Sequence, residues 1–402
     1  MFYFFSAFFF VLGLVSRKNI SLLFIILLIY PFSNAFSLYF YNSGLYIYDF
    51  FFIGAILPQL IESIRSRKLV LPRTLVLTYS VLFVYFLFAS YQSSVDTYYL
   101  RDFRLVLYVF YVTVLYSLLV NNSYHSVTKK SILGLVSIAA CSNLLYFLMS
   151  YLGFILFSDD FYSDNAFRYF DVSTYVCALF IIYFSGERSK IFYVVLTLAC
   201  LCVLISGIRV LIIVTFFLFI VRRVHSSSSI IKLFFLLPVL TPFLLVFSSS
   251  LDGLQLFDRI ANLSFDAIFQ QLSIRYSPFI NLLESFSWYN YIVGKGIATT
   301  FYIPWFEYRD SKDSLNNFID STYITLYSKF GFFAIIYLSG IILTTLRLAL
   351  FNNVKDKLIY IFFTLSLMLV YSLPYQASSI GIIVGLCFIR FNNIATSEEG
   401  KF

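Results

Sequence analysis

Histidine is nearly missing from this chain, with two in 402 residues. His125 and His225 both fall in segments that read as inside loops, and neither has a partner spaced for a metal site or a nucleophile triad. Charge is also scarce. Charged residues make up 12% of the chain and hydrophobic ones 60%, against about 25% and about 45–50% in a soluble domain. That excludes an ordinary water-soluble fold. The five cysteines, Cys141, Cys177, Cys200, Cys202 and Cys387, are odd in number, lie in apolar runs and make no disulfide framework. Cys200 and Cys202 would point about 200° apart on a helix, which excludes them as a metal-binding pair. No P-loop, dinucleotide fingerprint or internal repeat is present, and Asn262-Leu-Ser264 matches a glycosylation sequon too short to carry weight. The surplus charge of +8 does not indicate nucleic acid, because no basic patch with interleaved aromatics stands in a soluble region.

What the chain does have is long apolar runs. They lie at about 2–16, 20–40, 45–61, 74–92, 103–120, 132–156, 173–185, 191–206, 208–221, 233–248, 321–343, 358–373 and 376–391. They lack the alternation of barrel strands, so they predict helices. The expected fold is all-α, one polytopic membrane bundle over residues 1–402 with about 13 transmembrane helices, 12 if the short first run does not span. That first run has no basic segment before it and no clear cleavage site, and reads as a retained helix. Of the 28 lysines and arginines, 18 fall in alternate loops, among them Arg65, Arg67, Lys68, Arg222, Arg223, Lys355 and Lys357. Basic residues favour the cytoplasmic side, which places the N-terminus outside and the C-terminus inside.

Residues 249–320 interrupt the hairpin pattern with a long, more polar outer loop holding eight acids against five bases. Asp258–Gln271 and Pro278–Ser287 carry apolar residues at helical spacing, which predicts two amphipathic helices on the membrane or over the bundle. A loop of this length without a function is unusual. Three arginines stand at the same expected face: Arg168 and Arg209 beside apolar runs, and Arg275 in the loop. A cation at the membrane edge is costly unless an anion rewards it, and guanidinium matches phosphate bidentately. A phosphate-bearing lipid is the ligand this suggests.

Three segments carry a family resemblance. LISGIRVLIIV resembles the Ser-x-x-Arg turn between two helices in the O-antigen polymerase and O-antigen ligase superfamily. SIRYSPFINLLESFSWYNYIVGKGI resembles the stretch that follows it, with an arginine, an apolar helix, an aromatic and Gly-x-Gly. NFIDSTYITLYSKFGFFAIIYLSGI is similar to the re-entry helix, where ligases usually show histidine and asparagine; here those positions are Asp320 and Ser321. That departure points to the polymerase branch. The resemblance spans about 200–345 and implies a glycosyltransferase of GT-C-like architecture, without cofactor or metal. It also implies polyprenyl-pyrophosphate-linked glycans as donor and acceptor, with a chain-length regulator and a flippase as partners. An O-antigen-type ligase, or a transporter or flippase for a lipid-linked oligosaccharide, are the alternatives.

On that reading Arg209 and Arg275 stabilise the leaving pyrophosphate and Asp320 serves as the base. The bland roles are a snorkelling anchor, the solvated face of a helix, and a cap for a helix starting at Ser321. Arg168 is either a phosphate contact or an interfacial anchor. Arg101 and Arg104, three apart on one helix face, either guide lipid phosphate or pair with Asp102 and Asp96. Lys329, inside an apolar run, must face a polar cavity or a partner. Ser321 and Tyr323 are candidate hydroxyl contacts. Gly294-Lys295-Gly296 reads first as a turn, with Lys295 a candidate substrate contact. Tyr302 and Trp305 are candidate stacking platforms for sugar rings.

Overall fold

A computed structural model describes residues 2–16, 47–66, 72–92, 96–121, 129–152, 170–184, 189–223, 265–303, 314–351, 353–376 and 379–399. Over these residues the chain is almost wholly helical. In order, the helices are α1 (Phe2–Ser16), α2 (Ile47–Ser66), α3 (Arg73–Gln92), α4 (Thr97–Asn121), α5 (Lys129–Tyr151), α6 (Val172–Tyr183), α7 (Lys190–Ile205) and α8 (Arg209–Arg223). Then come α9 (Phe265–Leu283), the short α10 (Asn290–Val293), and strands β1 (Phe301–Tyr302) and β2 (Leu315–Asn316). The last are α11 (Thr322–Phe330), α12 (Ala334–Ala349), α13 (Val354–Val370) and α14 (Ile380–Glu399). The two strands pair antiparallel, Phe301 opposite Asn316.

The apolar runs at 20–40 and 233–248 lie outside the described residues. The others form helices over their described parts, as uninterrupted apolar sequence with few breakers should. Three helical stretches are long and apolar enough to cross a membrane: Arg73–Tyr91, Lys130–Met149 and Thr322–Ala349. Five further apolar helical stretches, Ser6–Val15, Asp49–Pro58, Val172–Tyr183, Lys190–Ile205 and Ile380–Ile394, are shorter and fall below the roughly 20 residues a full span needs. The 12 residues of α6 are all buried. This helix is packed round by α5, α7, α8 and α14, so its continuous hydrophobicity serves the protein core.

The expected pair of helices in the long loop is one helix. α9 runs through Pro278, which lies inside it. Proline offers no N–H to the carbonyl four residues back and ordinarily ends a helix. Here the Ser277 hydroxyl donates to the Ile274 carbonyl instead, at 2.8 Å, so the helix continues. Asp258–Ser264 lie outside the described residues.

Successive long helices alternate in direction, which gathers their ends at two poles. At one pole Arg222 at the end of α8 pairs with Asp356 at the start of α13, Nε to Oδ1 2.7 Å. Arg222 also donates to the carbonyls of Ile182 and Tyr183 at the end of α6. Arg390 of α14 donates to Leu348 O and Leu119 O, at the ends of α12 and α4. The opposite pole, here the loop pole, gathers the end of α3, the starts of α4 and α6, the turn between α7 and α8, and the segment 284–321.

Candidate functional site

The loop pole is organised round a helix that stops and restarts. α11 ends at Phe330, Gly331–Phe333 form one 3-10 turn, and α12 begins at Ala334. The break frees carbonyls that a continuous helix would use. The Gly294-Lys295-Gly296 segment, expected as a turn, supplies the missing donors. Lys295 N donates to Ser328 O (2.7 Å) and Gly296 N to Lys329 O (3.0 Å). Such an approach of backbone to backbone needs glycine on both sides. A Cβ on Gly294 would lie 2.4 Å from Lys329 O, and one on Gly331 would lie 2.2 Å from Ile292 O. Both residues also have positive φ, +74° and +55°, which glycine adopts without a Cβ clash. The Tyr85 hydroxyl of α3 completes the joint, 2.7 Å from Val293 O and 3.2 Å from Phe330 O.

Directly behind the break stands Lys329, fully buried, with its ammonium 2.7 Å from Asp102 Oδ2 of α4. The same ammonium donates to Thr299 O at 3.1 Å. Asp102, also fully buried, accepts from Ala298 N (2.7 Å) on the same oxygen. Its other oxygen accepts from Asn317 Nδ2 (2.7 Å) and the Tyr375 hydroxyl (2.6 Å). A buried carboxylate needs this density of donors. The pair therefore pins four parts of the chain together: α4, the segment 296–317, α11 and the turn at 373–375. One group is left over, since Asn317 Oδ1 is buried without a hydrogen-bond partner among the described residues.

The sequence reading anticipated a partner for Lys329 but did not single out Asp102, Asn317 or Tyr375. Asp102 stood between Arg101 and Arg104, and reads most simply as their local counter-charge. In fact Arg104 turns the other way. It is buried on Asp49 of α2, with Nη1 to Oδ2 at 2.8 Å, and Tyr111 donates to the same carboxylate. Its expected pairing with Asp102 or Asp96 is corrected to Asp49, because that carboxylate is buried beside it on the neighbouring helix. Arg101 is partly buried beside Tyr98, its guanidinium 5.9 Å from the ring centre.

The chain segments that carry residues 209, 275 and 320 all reach the level of the C-terminal end of α13. α8 and α13 pack together antiparallel, with Arg222 on Asp356 at the far pole. Arg209 lies 13 residues back from Arg222, and Leu369 lies 13 residues on from Asp356. At about 1.5 Å per residue both stand about 20 Å from that contact, so Arg209 is level with Leu369. Tyr276, next to Arg275 on α9, donates its hydroxyl to Leu369 O (3.2 Å). Thr322, two residues after Asp320, donates its N–H to Tyr371 O (2.9 Å). Of Arg209 and Arg275 the structure describes the backbone. The Ser-x-x-Arg turn is a true helix–helix turn, in which Ser206 Oγ donates to Val203 O (2.6 Å) and accepts from Ile208 N (3.2 Å).

The other candidates are distributed over the same pole. Asp320 is half-buried and lies outside the helix it was expected to cap; the N-cap is Ser321, which makes no side-chain capping bond. The Ser321 hydroxyl is buried, 3.5 Å from Met368 O. Tyr323 donates to Leu365 O (3.0 Å), so its hydroxyl holds α11 to α13. Lys295 is exposed and donates to the Ser285 hydroxyl beside the Phe286 ring. Desolvation there lowers its pKa below the ordinary lysine value. Tyr302 is exposed on β1. Arg168 and Trp305 lie outside the described residues. No group of three or more metal-ligating side chains occurs among the described residues.

No curated protein and no solved structure matches this chain. One family matches along nearly its whole length, over residues 19–123 and 117–400, and the chain belongs to it: it is described as "Family of unknown function (DUF6369)".

Proposed function

We propose that this protein is a polysaccharide polymerase of the O-antigen or capsule type. It would join polyprenyl-pyrophosphate-linked repeat units at the outer face of a bacterial inner membrane. The shorter apolar helices would be read with the three long ones as spans of a bundle of about 13, N-terminus outside and C-terminus cytoplasmic. The observation that carries the proposal is the common level of residues 209, 275 and 320 round the end of α13, beside a folded loop segment. Two cations and a carboxylate at one such level suit glycosyl transfer with a pyrophosphate leaving group.

The chemistry would proceed as a substitution at carbon. A hydroxyl of the acceptor glycan attacks the anomeric carbon of the donor. The new C–O bond forms as the bond to the bridging pyrophosphate oxygen breaks, and the electron pair leaves with that oxygen. The arginines meet the negative charge as it develops, where stabilisation lowers the barrier most. Asp320 takes the proton from the attacking hydroxyl.

A second reading as a carrier of lipid-linked oligosaccharide has its own observation. Discontinuous helices with buried charge at the break characterise transporters, and α11 and α12 break beside Lys329 and Asp102. Purified protein in detergent micelles, given one defined lipid-linked repeat, separates the two. The enzyme makes a ladder of longer glycans and releases lipid pyrophosphate. A carrier has no second compartment in micelles and leaves the substrate unchanged, which would overturn the polymerase reading.

A further inference from the structure

We propose that residues 286–293, together with the turn at Gly331–Phe333, form a wedge immersed in the interfacial zone of a phospholipid bilayer. In that zone headgroups meet acyl chains. The wedge would not stand in the aqueous space, although it belongs to a segment that sequence alone assigns to an outer loop. The proposal needs the bundle to sit in a membrane, and does not depend on what reaction it performs.

Depth is the first argument. Tyr85 bonds the tip of the wedge at Val293 and lies seven residues before the end of α3 at Gln92. At 1.5 Å per residue that is about 10 Å below the helix end. Lys295 and Gly296 bond to α11 inside the apolar stretch Thr322–Ala349. The segment thus descends alongside a candidate span.

The second argument is composition of the free surface. Between Glu284 and Lys295 the sequence SFSWYNYIVG has no charge. Trp288 is 79% exposed, Ile292 46% and Phe332 60%, with Tyr289, Tyr291 and Val293 exposed beside them. Ile335 and Leu343 of α12, and Phe83, Leu87 and Phe88 of α3, which packs against α12, are exposed as well. Tryptophan and tyrosine favour the membrane–water boundary, and lysine can reach the headgroups from a buried stem.

The third argument is how the backbone polar groups are satisfied. Backbone polar groups in lipid must be satisfied within the protein, whereas an aqueous loop can leave them to water. Of the nine N–H groups of residues 286–294, those of Phe286, Asn290, Ile292, Val293 and Gly294 find carbonyls within the segment or in the last turn of α9. The carbonyls of Tyr291 and Val293 accept from the Tyr327 and Tyr85 hydroxyls. The Asn290 amide, oriented to suit its neighbours, accepts from Ser287 N and donates to Gly294 O, at 3.1 Å each.

The test uses the full chain in phosphatidylcholine nanodiscs, which leave both faces open to solutes. The chain has two tryptophans, so Trp305→Phe isolates Trp288, with Trp305→Tyr as the substitute if the first variant does not insert. A further Trp288→Tyr change must remove the signal. We expect Trp288 fluorescence to be lost to lipids brominated near the glycerol end of the chain. Lipids brominated near the methyl end should quench it less, and aqueous iodide should barely do so. Strong quenching by iodide with none by bromolipid would place the wedge in water and overturn the proposal. Quenching by neither would mean that protein, such as a second copy of the chain, covers it, and would overturn it equally.

Discussion

Lys329 and Asp102 are both fully buried, and the energetics of such a pair are asymmetric. Forming it gives little net stability, because each charge gives up its hydration, but removing one partner strands the other and costs about 3–5 kcal/mol. Lys329→Met and Asp102→Asn should therefore each lower the thermal midpoint in detergent substantially. The double variant should lose much less than the sum, and additive losses would show that the pair is not coupled. The candidates near the end of α13 answer to activity instead. Arg209→Lys and Arg275→Lys keep charge but lose the bidentate fork, and each should lose most polymer synthesis with normal membrane insertion. Full synthesis by both would reduce these arginines to general electrostatics. Asp320→Asn should insert normally and accumulate single lipid-linked repeats. Capping is not the competing explanation, since Ser321 holds the N-cap position; wild-type turnover by this variant would remove Asp320 as the base. At this scale the sequence was half legible. A lysine amid FFAII-like apolar sequence announces a partner, but nothing local tells which of the acids 227 positions away or nearer will meet it.

At the scale of elements, the joint between α10 and the α11–α12 break rests on two glycines. Alanine at 331 would have to adopt φ near +55° and set its Cβ 2.2 Å from Ile292 O. The backbone conformation alone costs about 1–3 kcal/mol, and the contact adds a forced displacement of the wedge. Gly331→Ala should lower the thermal midpoint and open the segment 286–296 to limited proteolysis; unchanged protease resistance would show that the joint tolerates a side chain. Helix positions were readable in the apolar runs because uniform hydrophobicity and few breakers specify them locally. The break inside 321–343 was not, since Gly331 in an apolar helix reads as a tolerated glycine until the partner backbone is seen. Nor was the continuity of α9, because its proline is compensated by a neighbouring serine hydroxyl that sequence patterns do not weigh.

For the whole molecule, the two poles differ in their chemistry. One gathers Arg222, Lys355 and Arg390 about the carbonyl ends of helices, and the other gathers the folded segment and the buried ion pair. On the proposed orientation, which rests on the bias of basic residues, the first pole would face the cytoplasm. Single cysteines placed at Ser311 and at Lys357, in a chain freed of its native cysteines, test this in intact cells. Ser311 should label with an impermeant maleimide and Lys357 only after permeabilisation; the reverse pattern would invert the topology. The grouping of helix ends could be read from the alternation of charged loops, whereas the convergence on the end of α13 required the packing of α8 against it.

The order in which the ion pair is synthesised has its own consequence. Asp102 leaves the ribosome 227 residues ahead of Lys329, roughly 10–45 s at about 5–20 residues per second. Throughout that interval α4 holds an acid destined for a dry interior with no ammonium to meet it. A nascent chain at that stage has to keep the start of α4 where water or headgroups can hydrate the carboxylate. The seating of α4 is thus settled only when the C-terminal third of the protein arrives, and chains that terminate before Lys329 would present the membrane quality-control machinery with an uncompensated acid.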